Sequence, residues 1–194
     1  MKIAICFSGQ LRGSWPKCVE SWKQTFSQHE VYYFGHTWTT RSAPNFIKVT
    51  KGLDDIETID PNEIQKLKRE LPQINLKVEE QVVFPAGLDQ ALHDVNYQSQ
   101  FYRVMQSANL KRKVEIEENH TFDLCVRARW DTMFDEQWNV PEPITDSAQV
   151  IHLGFDTSGH RMRVGDIYWQ AASEEFDLMC DFYRHFHRHP KEYF

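Results

Sequence analysis

Residues 122–134, FDLCVRARWDTMF, constrain the fold of this chain more than any other stretch. Phe122, Leu124 and Val126 supply alternating apolar positions and read as a buried strand. The run then turns abruptly charged, at Arg127, Arg129 and Asp131. Open α/β sheets place their ligands at the carboxyl ends of such strands. Arginine forks grip phosphate oxygens, and an exposed carboxylate can hold a divalent cation beside them. A strand that ends in a solvated salt-bridge cluster is the plainer alternative.

The remaining apolar runs fit the same sheet. KIAICF, residues 2–7, is almost continuously apolar and ends at Ser8-Gly9, the pattern of a parallel strand buried on both faces. A helix is expected over 15–26, with Ser14 as N-cap and Pro16 in the first turn. Strand, glycine-containing loop and helix N-terminus aim backbone N–H groups at one spot, which suits a phosphate or nucleotide. Ser8, Gly9, Gln10 and Arg12 would line it. An ordinary βα turn accounts for the same residues. VYYFGHTW, residues 31–38, reads as an aromatic-rich strand with His36 and Trp38 at its carboxyl end.

Between 39 and 87 the pattern is less regular, with short strands at 46–49 and 56–59 and a helix over 61–71 that starts at Asp60-Pro61. Lys66, Lys68, Arg69 and Glu70 form a solvated face of that helix. The longest helical pattern runs over 89–118, with a stripe of Leu92, Val95, Tyr102, Met105 and Leu110. Its first half holds a polar cluster of Asn96, Gln98, Ser99 and Gln100, either a solvated face or a wall of a site. Its end, 111–118, mixes charge signs and reads as exposed. VIHLGF and IYWQAA read as strands, and a helix starts at Ser173 with Glu174 and Glu175 in its first turn. The intervening loop, with Gly154, Gly159 and Asp166, has the composition of a substrate-covering segment.

These elements give an α/β fold with a mostly parallel central sheet, and 194 residues at 41% hydrophobic suit one domain over 1–194. A net charge of −6 argues against a nucleic-acid binder. No apolar run approaches the ~18 residues of a membrane span, and the N-terminal run is too short for a secretory leader. The expectation is a soluble, cytoplasmic protein without a transmembrane segment. Cys6, Cys18, Cys125 and Cys180 lie far apart, so neither a disulfide framework nor a zinc knuckle is expected. His185 and His189 share helical spacing, but a solvated basic end suits them better than zinc.

NYQSQFYRVMQSANLKRKVEIEENHTFDLCVRARWD resembles a stretch of small GT-A-type glycosyltransferases of bacteria and large DNA viruses, in which a helix leads into a strand ending R-x-R-x-D. IAICFSGQLRG and YYFGHTW are similar to the first two strands of that family, and VGDIYWQAASEEFDLM to its segment after the acid strand. The four matches fall in the family's order and cover most of the chain. The resemblance implies a GT-A-like (Rossmann-like) three-layer sandwich that binds a nucleotide sugar. It also implies transfer of the sugar from a nucleotide-diphosphate donor to a glycan or other hydroxyl acceptor.

On that resemblance Ser99 and Tyr102 join Ser8, Gly9, Gln10, Arg12, His36, Trp38 and Arg127 around the donor. Asp131 stands where the family's D-x-D holds Mn²⁺ or Mg²⁺, with arginines in place of the first acid. Arg127 or Arg129 would carry part of the diphosphate's neutralisation, and Arg129 is assigned that catalytic part. Trp130 occupies a position where the family often has proline, which unsettles the expected turn. Asp166 is the candidate base for an inverting transfer, or else a turn former. A catalytically inactive nucleotide- or sugar-binding module and a nucleotidyltransferase remain the alternatives.

Overall fold

The computed structural model describes residues 1–42, 56–82, 92–134, 152–153 and 168–181. In chain order these form β1 (Lys2–Ser8), α1 (Trp15–Thr25), β2 (Glu30–Trp38), β3 (Thr40–Ser42), β4 (Ile56–Thr58), α2 (Pro61–Glu70), β5 (Asn75–Glu79), α3 (Leu92–Glu118), β6 (Leu124–Ala128), β7 (His152–Leu153), β8 (Tyr168–Ala171) and α4 (Ser173–Cys180). Six strands make one sheet in the order β5-β2-β1-β6-β8-β7, and β3 pairs antiparallel with β4. The first four strands of that order run parallel, whereas β8 is antiparallel to both β6 and β7. The mixed α/β, mostly parallel architecture expected from the sequence is therefore present.

Side-chain alternation along the strands builds two cores. Ile3, Ile5 and Phe7 of β1 and Leu124, Val126 and Ala128 of β6 face one way, against Trp15, Cys18, Val19 and Trp22 of α1 and Leu67 of α2. Those α1 positions fall at i, i+3, i+4 and i+7, a single helical stripe. Ala4 and Cys6, with Phe34 and Cys125, face the other way, against Val104, Ala108 and Val114 of α3 and Phe176 and Cys180 of α4. Helices thus cover both faces of the sheet. The small residues of β1 lie on the side where the long helix passes.

Several local expectations change. Ser14 stands at the N-cap of α1, but its backbone is helical and its side chain makes no capping bond. Asp60 does cap α2, accepting the Asn62 N–H at 2.9 Å from an extended backbone. The end of α3 is exposed at Lys113 and over 116–118, as expected, but Lys111 is fully buried and Val114 nearly so, because α4 packs there. β5 was not foreseen, since only Leu76 and Val78 carry apolar signal in an edge strand that is half-buried. Residues 46–49 and 185–189 lie outside the described residues. All four cysteines are buried free thiols. No described helix is long and apolar enough to cross a membrane.

Candidate functional site

Order β5-β2-β1-β6 means that the chain moves outward from β1 through β2 to β5, then returns over α3 to β6 on the other side. The reversal falls between β1 and β6, and a crevice opens at the carboxyl ends of strands that part in this way. Ser8 closes β1 there, and Arg127 and Arg129 close β6. Arg127 is buried to 1% exposure on the α3 side, and its Nε donates to Ser8 Oγ at 3.2 Å. Gly9 then turns the chain at φ +125°, a conformation that side-chain-bearing residues rarely adopt. Gln10, partly buried, and Leu11 lead to Arg12, whose Nη1 reaches back to Asp131 Oδ2 at 3.0 Å.

Asp131 is held from two sides. Arg129 donates to it as a fork, Nε to Oδ1 at 2.9 Å and Nη2 to Oδ2 at 2.7 Å, while Arg12 takes Oδ2 as well. Burial raises the carboxyl's pKa, but the bonds and charges of Arg129 and Arg12 outweigh it and hold the group below the usual range. The turn bearing Asp131 is fixed by Trp130. The Trp130 indole is fully buried, stacks on Phe7 at 4.5 Å and donates from Nε1 to the His36 carbonyl at 3.2 Å. It lies over Gly35, where an added Cβ would sit 2.7 Å from the ring. Trp22 Nε1 donates to the Thr132 carbonyl at 2.7 Å and closes the turn.

A second wall comes from β2 and α3. His36 and Trp38 point to the α3 side, where Tyr102 stacks on Trp38 at 5.5 Å and meets the His36 ring edge-on. Ser99 is nearly buried one turn earlier on the helix. His36 Nε2 lies 2.8 Å from Glu79 Oε1 at the end of β5. Among the described residues, neither His36 Nδ1 nor Trp38 Nε1 has a hydrogen-bond partner, although both atoms are buried. A buried acceptor or donor left in this state costs free energy unless a ligand or water meets it.

Arg103 joins the two walls, and the sequence reading missed it. Its Nε donates to the Ser99 carbonyl at 3.0 Å, and its guanidinium lies 6.0 Å from the Trp38 ring. Burial, then the guanidinia of Arg129 and Arg12, push its pKa down to about 10. No carboxylate pairs with it among the described residues. Its spacing of four from Ser99, on the face of a helix already carrying Tyr102, was the available signal. Eleven sequence-chosen residues thus gather at one sheet edge: Ser8, Gly9, Gln10, Arg12, His36, Trp38, Ser99, Tyr102, Arg127, Arg129 and Asp131. Asp166 lies outside the described residues.

No family model matches this chain, and no curated protein matches it to significance.

The described donor set does not fit a divalent cation at Asp131. Both carboxylate oxygens already accept from arginines, and among the described residues no three His, Cys, Asp or Glu side chains converge on a metal position. The oxygen-rich shell that Mn²⁺ or Mg²⁺ requires is not what these residues offer.

His36 gives the site a pH signature. Burial drives its pKa from 6.5 to about 4, against the pull of Glu79 and with Arg103 and Lys77 adding to the fall. The neutral ring donates from Nε2 to Glu79. The unfolded chain takes up this proton more readily, so the stability is complete above pH 6.5 and is lost as pH falls towards 4. The difference is on the order of 3 kcal/mol. Urea denaturation at pH 7.5 and 4.5 is expected to show a larger acid loss in the parent than in His36→Gln, whose amide can still donate to Glu79. Equal losses would assign the acid sensitivity to other groups.

Proposed function

We propose that this protein is a GT-A-type glycosyltransferase that moves a sugar from a nucleotide-diphosphate donor to a hydroxyl of a glycan or glycoconjugate. One observation carries the reading: Arg12, Arg103, Arg127 and Arg129 gather at the strand-order reversal of a parallel sheet, with Asp131 as their near carboxylate. Departure of a diphosphate from an anomeric carbon builds negative charge on its oxygens. Preorganised guanidinia stabilise that charge as it develops, more strongly in a partly dry cleft than in water. The Trp38–Tyr102 pair offers an apolar wall beside them, and the partnerless Trp38 Nε1 and His36 Nδ1 offer a donor and an acceptor to an uncharged ligand part.

In this reading Asp166 takes the acceptor hydroxyl's proton if the transfer inverts the anomeric centre. The binding-module alternative is favoured by one detail, that the lone acid of RARWD is tied to arginines. A panel of nucleotide-diphosphate sugars, followed for donor hydrolysis and for transfer to simple glycosides, separates the two. Hydrolysis or transfer of one donor supports the enzyme, whereas saturable binding of a donor without turnover supports the module. Asp166→Asn is expected to lose transfer while keeping donor affinity; transfer at the parental rate would remove Asp166 from the chemistry.

A further inference from the structure

We propose that this site holds the diphosphate through arginine side chains without a divalent cation, and that Asp131 is the arginines' resident counter-ion rather than a metal ligand. The identity of the ligand as a nucleotide's diphosphate rests on the reading above; the manner of holding it rests on geometry.

The first observation is occupancy of the carboxylate. Asp131 Oδ1 accepts from Arg129 Nε, and Oδ2 accepts from Arg129 Nη2 and Arg12 Nη1, all at 3.0 Å or less. Three arginine N–H groups take most of the carboxylate's roughly four lone-pair positions, and a cation at what remains would face Arg129 and Arg12 as like charges. The second observation is the clustering of guanidinia. Arg12 and Arg129 both bond Asp131, Arg127 is buried against Ser8 and Arg103 lies by the Trp38 ring, so several forks at one sheet edge can meet the two to three negative charges of a diphosphate. The third is Arg103, half-buried with its guanidinium 6.0 Å from the Trp38 ring and within the electrostatic influence of Arg129 and Arg12. Like charges packed in this way favour an anion between them, and planar guanidinium forks fit phosphoryl oxygens two at a time.

Asp131 then has a positioning role. It keeps Arg129 and Arg12 extended across the mouth of the crevice while no anion is bound, and it competes with the anion for the same N–H groups. Its removal therefore acts oppositely in the two accounts. A metal ligand lost to Asn weakens diphosphate binding, whereas a competing counter-ion lost to Asn leaves it as tight or tighter.

The test is calorimetry with inorganic pyrophosphate, in EDTA and separately in excess Mn²⁺, on the parent, Asp131→Asn, Arg103→Gln and Arg12→Gln. The expected result is saturable binding in EDTA, unimproved by Mn²⁺, retained in Asp131→Asn and weakened on the order of tenfold in each arginine variant. Arg12 is 38% exposed, so its variant reports even where Arg103→Gln fails to fold. Pyrophosphate binding that requires Mn²⁺, or that disappears in Asp131→Asn, would overturn the proposal; so would no binding at all. Nucleoside diphosphates tested in the same buffers separate the two ideas. Pyrophosphate bound in EDTA, with no nucleoside diphosphate bound more tightly, keeps the arginine site and removes the nucleotide-sugar reading. Nucleoside diphosphate bound only with Mn²⁺ does the reverse.

Discussion

Trp130→Ala is expected to cost about 3–5 kcal/mol of folding stability, the range for deleting a fully buried aromatic side chain. The indole is 1% exposed, stacks on Phe7, donates to the His36 carbonyl and lies against Gly35. Alanine would leave a cavity between β1 and β2 and strip a buried carbonyl of its donor. The backbone cannot readily collapse into that space, since Gly35 and Phe7 belong to strands paired on both sides. Urea denaturation at constant slope measures the loss, and Trp130→Phe should recover part of it. A loss under about 1 kcal/mol would mean that the ring is not a packed member of the core. The folded fraction of Trp130→Ala should also bind pyrophosphate more weakly, because Arg129, which precedes the ring in the chain, loses its fixed position.

Lys111→Ala is expected to cost a similar 3–5 kcal/mol, by a different route. Lys111 Nζ is wholly enclosed and meets Glu115 at 2.8 Å, Asp177 at 3.1 Å and the Ser173 hydroxyl. Burial alone would lower its pKa, but Cys125, Asp177 and Glu115 raise it and keep the ammonium charged. Glu115 in turn sits below its ordinary value: burial raises it, and Lys111 and Ser173 bring it down further than burial lifts it. Without Lys111, Glu115 loses its only described ion pair, and Asp177 keeps Arg112 alone. The sign with pH follows. The Glu115–Lys111 contribution is present above the carboxyl's unfolded value and fades as pH falls through its lowered folded one. The variant's deficit should therefore be largest at neutral pH and narrow below about pH 4.5, read by thermal melts from pH 7 down to pH 3. A deficit that does not change with pH would point to lost packing rather than lost charge.

The sheet was legible because its central strands are buried on both faces. KIAICF and DLCVRA carry unbroken apolar signal, and parallel strands flanked by helices produce such runs. β5 was not legible, for the complementary reason that an edge strand needs few apolar residues. Lys111 and Arg112 were misread as part of an exposed face because their charges are satisfied by α4, about sixty residues further on, and a sequence window shows charge without its partner. At the site, residue types pointed to an anion but could not decide what Asp131 does. One carboxylate among arginines reads as a metal ligand, and only the distances add that its oxygens accept from Arg129 and Arg12. Arg103 went unseen because a lone arginine within a helix is usually a solvated one.

Helix α3 carries the site at Ser99, Tyr102 and Arg103, the sheet contact at Val104 and Ala108, and the clamp to α4 at Lys111 and Arg112. Each residue advances the helix by about 100°, so one residue inserted between Arg103 and Lys111 would swing the arginine a quarter-turn or more from Arg12 and Arg129 while the clamp stayed in place. Seven inserted residues would restore the direction and displace Arg103 by about 10 Å along the axis. Neither change leaves a working crevice. The number of residues between the two ends of this helix is thus as constrained as any side chain on it, and length variation in this chain has to fall in its loops.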